Sequence, residues 1–131
     1  MSVKREIIST QHAPGAVGPY SQAVRVGDFI YTAGQIPLNP ETGKLVEGGI
    51  EAQTHQVMQN LSHILEAAGS RLDHVVKTTI FVINLSDFAK INEVYGSFFA
   101  GDPPARSTVQ VVGLPLGAHI EIEMIAIASQ K

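Results

Sequence analysis

The stretch His74-Val75-Val76-Lys77-Thr78-Thr79-Ile80-Phe81-Val82-Ile83 decides the fold. Its dense run of β-branched residues suits a buried strand, and we read it as central. Upstream, Val57, Met58, Leu61, Ile64, Leu65 and Ala68 repeat at helical spacing within Ile50 to Ala68, and Gly69 is placed to stop that helix. Downstream, Ser86 can cap a second helix with the stripe Phe88, Ile91, Tyr95, Phe98 and Phe99, ended by Gly101, Pro103 and Pro104. Farther out, Arg5 to Ser9 and Ser21 to Val26 read as strands, and Gly27-Asp28 turns the chain into Phe29 to Ala33. Gly34 to Gly49 holds too many glycines and prolines for a regular element. Arg106 to Val112 and His119 to Ala128 close the chain as strands around a turn with Gly113, Pro115 and Gly117. The order β-β-β-α-β-α-β-β predicts an α+β, two-layer domain spanning residues 1–131: one mixed sheet with both helices on one face.

The other face of that sheet poses a problem. In the last strand one parity carries Ile120, Ile122, Met124, Ala126 and Ala128, and the other carries Glu121, Glu123, Ile125 and Ile127. Aliphatics on both faces want cover on both, and two helices cover only one. Oligomerisation would supply the rest, and closed cyclic assemblies are the common solution.

Composition narrows the class. Apolar residues make up 44% of the chain and charged ones 16%, the balance of a globular protein rather than a disordered one. With no cysteine there is no disulfide framework and no thiol nucleophile, which fits a reducing cytoplasm. The first ten residues mix Lys4, Arg5 and Glu6 with Ile7 and Ile8 and lack the apolar core of a secretory signal, and no run approaches membrane-spanning length. A net charge of -3 gives no overall field to attract a phosphate backbone. His12, His55, His63, His74 and His119 show no ligand pattern, and the eight-residue spacing of His55 and His63 differs from the one-turn spacing metals favour, so no metal is expected.

The chemistry concentrates in Pro103-Pro104-Ala105-Arg106-Ser107-Thr108 followed by Ile120-Glu121-Ile122-Glu123. Arg106, Thr108 and Gln110 share one strand parity, so a guanidinium and a hydroxyl point to the same side, an arrangement suited to a small carboxylate. On the residues alone, an ion pair of Arg106 with Glu121 or Glu123 is the commoner arrangement.

Pro104-Ala105-Arg106-Ser107 with Ile120-Glu121-Ile122-Glu123 resembles the signature of the Rid (YjgF) family. In the same order, Ala16-Val17-Gly18-Pro19-Tyr20-Ser21-Gln22-Ala23, Thr32-Ala33-Gly34-Gln35-Ile36-Pro37, Val75-Val76-Lys77-Thr78-Thr79 and Asp87-Phe88-Ala89-Lys90-Ile91-Asn92 resemble that family, in its RidA subgroup. The resemblance implies a chorismate-mutase-like fold, a homotrimer with sites in the clefts between subunits, and no metal or organic cofactor. It implies hydrolysis of 2-aminoacrylate, 2-iminopropanoate and 2-iminobutanoate to 2-oxo acids and ammonia. Carried over by position, Arg106 would anchor the substrate carboxylate and Glu121 would hold or activate the attacking water. Tyr20, Gly34, Asn92 and Thr108 would line the pocket, with Gly34 and Thr108 near the imine nitrogen or carboxylate.

Each has a plainer reading: Tyr20 an interface aromatic, Asn92 a solvent-facing polar residue, Gly34 a turn after a strand. Gly34 has the best physical case, because a residue without Cβ allows close approach to the backbone. Phe88 reads as core. Thr108 stands where close relatives often carry cysteine, Val112 where a small or basic residue is usual, and Pro103 where phenylalanine is common; none removes the core pair. Two other classes remain. One is an RNA-acting translation inhibitor, for which the sequence offers neither a basic stripe nor interleaved exposed aromatics. The other is a non-catalytic ligand-binding trimer.

Overall fold

In the computed structural model, which describes residues 4–129, six strands join one sheet in the order β1-β2-β3-β6-β4-β5. They are β1 (Arg5–Ile8), β2 (Ala23–Val26), β3 (Phe29–Thr32), β4 (Val75–Val82), β5 (Ala105–Gln110) and β6 (Ile120–Ile127). The helices are α1 (Ile50–Ala67), between β3 and β4, and α2 (Phe88–Gly96), between β4 and β5. The expected element order and mixed sheet are therefore observed. Neighbours run antiparallel except β4 and β5, which are parallel because the α2 crossover returns the chain to the same end of the sheet.

Alternation separates the two faces. Thr78, Ile80 and Val82 of β4 sit opposite Met124, Ile122 and Ile120 of β6, and all six are buried. The stripe Val57, Met58, Leu61, Ile64 and Leu65 of α1 packs over them in one core cluster. These α1 residues are fully buried, so truncating one, such as Leu61→Ala, costs about 2–5 kcal/mol. On the opposite face none of the described elements covers Phe29, Tyr31 and Ile127, which are 45%, 48% and 36% exposed. The parity argument for a second apolar face thus holds in three dimensions.

Four local readings change. The run from His74 begins its strand at Val75, since Leu72–His74 forms a 3-10 turn, and β4 lies second from the sheet edge, with β6 nearer the middle. Ser86 does not cap α2: Leu85–Asp87 forms a 3-10 turn instead, and the Asn84 side chain accepts the Ser86 N–H at 3.0 Å. A polar side chain two residues earlier caps this 3-10 turn. Finally, α2 ends at Gly96, so Phe98 and Phe99 pack on the core from beyond the helix.

Candidate functional site

The sheet register divides the expected site residues into two groups. Arg106 lies opposite Thr78 of β4 and Thr108 opposite Ile80, so both point to the helical face. Glu121 lies opposite Phe81, one parity away, on the face that the helices leave open. Within one chain the structure does not bring Arg106 and Glu121 together.

The Arg106 group sits at the edge strand beneath α2. The guanidinium lies over the rings of Phe88 and Tyr95, at 5.3 Å and 5.1 Å from their centroids. Neither Glu121 nor Glu123 pairs with it; Arg71 and Asp73 form the one salt bridge among the described residues. Within one chain the ion-pair reading of Arg106 therefore fails, because Glu121 and Glu123 leave the sheet on the other face. Phe88 is also not core: it is 41% exposed and presents its ring to the guanidinium. A cavity of about 400 Å³ opens here, lined by Arg106, Asn92, Tyr95, Phe99 and Pro104. The Asn92 Oδ1 and Thr108 Oγ1 are buried without a hydrogen-bond partner, and no other side-chain atom among the described residues shares that state. Buried polar atoms normally find partners, so two unmet acceptors flanking an unpaired cation mark a polar site rather than a packed core. Gln110, which shares the parity of Arg106, is otherwise engaged: its Oε1 accepts the Leu85 N–H at 2.9 Å.

The Glu121 group lines a separate cavity of about 500 Å³ with Tyr20, Gly34, Ile36, Leu38 and Leu116. Gly34 follows β3, and the next residue, Gln35, bridges to Ile122 of β6, which brings the Gly34 backbone against Glu121. A Cβ at Gly34 would lie 2.8 Å from the Glu121 Cδ and Oε2. The absence of a side chain at this position makes room for the carboxylate, a more specific role than the turn or close ligand approach suggested by the sequence. Burial, and secondarily the charge of Glu123, push the Glu121 carboxyl above the usual carboxylate range. Such a group holds a proton more readily than a surface glutamate and suits proton transfer.

Tyr20 is half-exposed at this cavity, and its hydroxyl accepts the Val17 N–H at 3.4 Å. The buried Gln22 side chain fixes the wall: its Oε1 accepts from the Thr10 N–H at 2.7 Å, and its Nε2 donates to the carbonyls of Thr10 at 3.1 Å and Pro14 at 2.8 Å. On the opposite lip, Leu116 adopts a left-handed backbone with φ of 58°, yet stays 67% exposed. Sequence reasoning missed Tyr95 and Leu116 as site residues. Tyr95 matched the helical stripe of a core residue, and nothing in the sequence marks a strained leucine. Among the described residues no group of three or more His, Asp or Glu could hold a metal, and the His63 Nδ1 instead meets the His12 carbonyl oxygen at 2.9 Å.

Residues 10–128 match the family model described as Endoribonuclease L-PSP. The chain is 50% identical over 125 residues to Reactive Intermediate Deaminase A, chloroplastic, of Arabidopsis thaliana, covering 95% of this chain and 67% of that protein. It is 48% identical over 126 residues to the 2-iminobutanoate/2-iminopropanoate deaminase of Mus musculus, covering 96% and 93%. The crystal structure of YyfA from Yersinia pestis, a member of the conserved Rid protein family, superposes with a TM-score of 0.93 at 48% identity, covering 95% of this chain and 100% of that one. With this family-wide match over nearly its whole length, the chain belongs to the Rid family, the family of the L-PSP model. The observed two-layer fold is that family's fold.

Proposed function

We propose that this chain is a hydrolytic deaminase that converts 2-aminoacrylate, 2-iminopropanoate and 2-iminobutanoate to 2-oxo acids and ammonia. The observation that carries this reading is a ring-held guanidinium without an acidic partner among the described residues of its own chain, facing a cavity with a buried, unpartnered asparagine oxygen. The names of the mouse and Arabidopsis relatives support the same chemistry. Arg106 binds the substrate carboxylate through two parallel charge-assisted hydrogen bonds. Asn92 and Thr108, with buried oxygens unspent, accept from the imine nitrogen or order water beside it. An enamine first takes a proton at its terminal carbon and becomes the imine, whose protonated C=N is electrophilic. Glu121 accepts a proton from water as the water oxygen bonds to C2. The resulting carbinolamine takes that proton at nitrogen; as the C–N bond breaks its hydroxyl passes its own proton to the Glu121 carboxylate, and ammonia and the 2-oxo acid leave. Little more than positioning and proton transfer at one carboxylate is required.

Because Arg106 and Glu121 occupy opposite faces of one sheet, the reading places each site between two copies: Arg106 from one subunit and Glu121 from its neighbour. The uncovered apolar face, with Phe29, Tyr31 and Ile127, supplies the association surface for a homotrimer of single RidA-like domains. The lack of cysteine suits a cytoplasmic setting, and the net charge of -3 favours a small anion held by one guanidinium over a nucleic-acid backbone.

The test is a coupled assay in which a threonine dehydratase generates the imine and 2-oxo acid release is followed. Acceleration by the wild-type protein, lost in Arg106→Ala and Glu121→Gln, is expected. Release at the uncatalysed rate with wild-type protein would refute the deaminase reading.

A further inference from the structure

A guanidinium that must bind an anion faces a physical conflict. Its long side chain has to be held in one orientation, but the usual holder, an aspartate or glutamate, would consume the N–H donors that the ligand needs. Here the holder is aromatic. Arg106 lies over Phe88 and Tyr95 with no acidic partner among the described residues of its own chain, and a cation attracted to ring faces keeps its donors available to a carboxylate. The Tyr95 ring is itself fixed. It is buried, its hydroxyl shares a 2.8 Å hydrogen bond with the buried hydroxyl of Thr78, and the Phe99 ring packs on it at 5.0 Å between centroids. Thr78 also sits opposite Arg106 in the β4–β5 register, so one strand pair fixes the backbone of the arginine and the support beneath its tip.

We propose that Tyr95 and Phe88 are positioning residues that hold the Arg106 guanidinium for carboxylate binding, an inference that rests on the function proposed above. The two rings differ in use. Tyr95 is the immobile support tied to the sheet, and Phe88, exposed at the first turn of α2, closes over the cation from the solvent side. The grip on the carboxylate is then set by ring area and polarizability rather than by any hydrogen bond to the arginine.

Steady-state kinetics with the dehydratase-coupled assay, together with thermal melts, test this on the full chain. Phe88→Leu is expected to raise KM about 2- to 10-fold, the range a partly exposed cation–π contact supports, with kcat within about twofold. Phe88→Trp is expected to restore or lower KM, because tryptophan binds cations best. Tyr95→Phe keeps the ring and is expected to hold KM within about threefold, whereas Tyr95→Leu raises it more than Phe88→Leu does. A merely structural role would lower the melting temperature and the active fraction without moving KM. If Tyr95→Leu does not fold, Phe88→Leu decides alone. An unchanged KM in Phe88→Leu, beside lost activity in Arg106→Ala, overturns the positioning role only. Retained wild-type activity in Arg106→Ala overturns this inference and the proposed function together.

Discussion

Arg106 and Glu121 leave the sheet on opposite sides: Arg106 is in register with Thr78 of β4, and Glu121 with Phe81. A side chain cannot pass through a hydrogen-bonded sheet, so any reaction that uses both needs a second copy of the chain. Mixing then gives a clear expectation. Arg106→Ala and Glu121→Gln should each be inactive alone. Co-refolded at equal ratio, they should recover roughly a quarter of wild-type activity, the chance that a random interface unites one intact arginine with one intact glutamate. A mixture as inactive as its components would place both residues of a working site in one subunit.

Gly34→Ala tests the contact behind the Glu121 carboxylate. The added Cβ would lie 2.8 Å from the Glu121 Oε2, so the flexible end of the glutamate must move. Since displacement by a fraction of an ångström is enough to misplace a proton acceptor, kcat should fall roughly 10- to 100-fold. Thermal stability should change little, because a side-chain tip, not backbone, gives way. Wild-type kcat in this variant would show that the position of Glu121 is not critical.

The pH profile follows from burial of Glu121 and, to a smaller extent, the charge of Glu123. Glu121 accepts a proton only as the carboxylate. With its affinity for protons raised, the proposed activity should decline on acidification at a higher pH than an ordinary glutamate would impose. Glu123→Gln removes the lesser cause and should shift that acid limb downward without abolishing it. A limb in the same place for wild type and Glu123→Gln would argue against charge coupling between the two.

Leu116→Asn tests the strained lip. The left-handed backbone at φ of 58° disfavours leucine and tolerates asparagine, and the leucine side chain is largely in solvent. Removing a large apolar side chain should therefore leave the melting temperature unchanged or raise it by about 2–4 °C, against the drop expected for a buried leucine. A drop of the buried-leucine size would show that Leu116 is packed by a partner.

Much of this was legible in the chain because it is local. The 3.6-residue spacing from Val57 to Leu65 and the alternation from Ile120 to Ile127 each fix a face without knowledge of the partner. The Rid-like segments singled out Arg106, Glu121, Tyr20, Gly34, Asn92 and Thr108 for a single pocket, whereas within one chain they fall into two groups. The division of those residues between faces was hidden, since it depends on the β4–β5 and β4–β6 registers, which join residues far apart in sequence. Phe88 shows the same limit. Helical spacing put it in line with Ile91 and Tyr95, but the last step of such a stripe at a helix start can overhang the core, and here it meets the arginine. Ser86 misled because capping preference names residue types, while the 3-10 turn at Leu85–Asp87 moved the capping acceptor to Asn84.

The Gln22 side chain, which ties Thr10 and Pro14 to the start of the sheet, gives the cavity wall an exchange signature. A backbone N–H in an irregular segment normally trades its proton with water quickly, but that of Thr10 is locked on an amide oxygen at 2.7 Å. Its deuterium uptake should be as slow as that of a strand. In Gln22→Glu the retained oxygen could still accept from Thr10, while the lost Nε2 would free the carbonyls of Thr10 and Pro14. Segment 10–14 would then open as one unit, and the lifetime of the wall beside Glu121 would be governed by a single amide group.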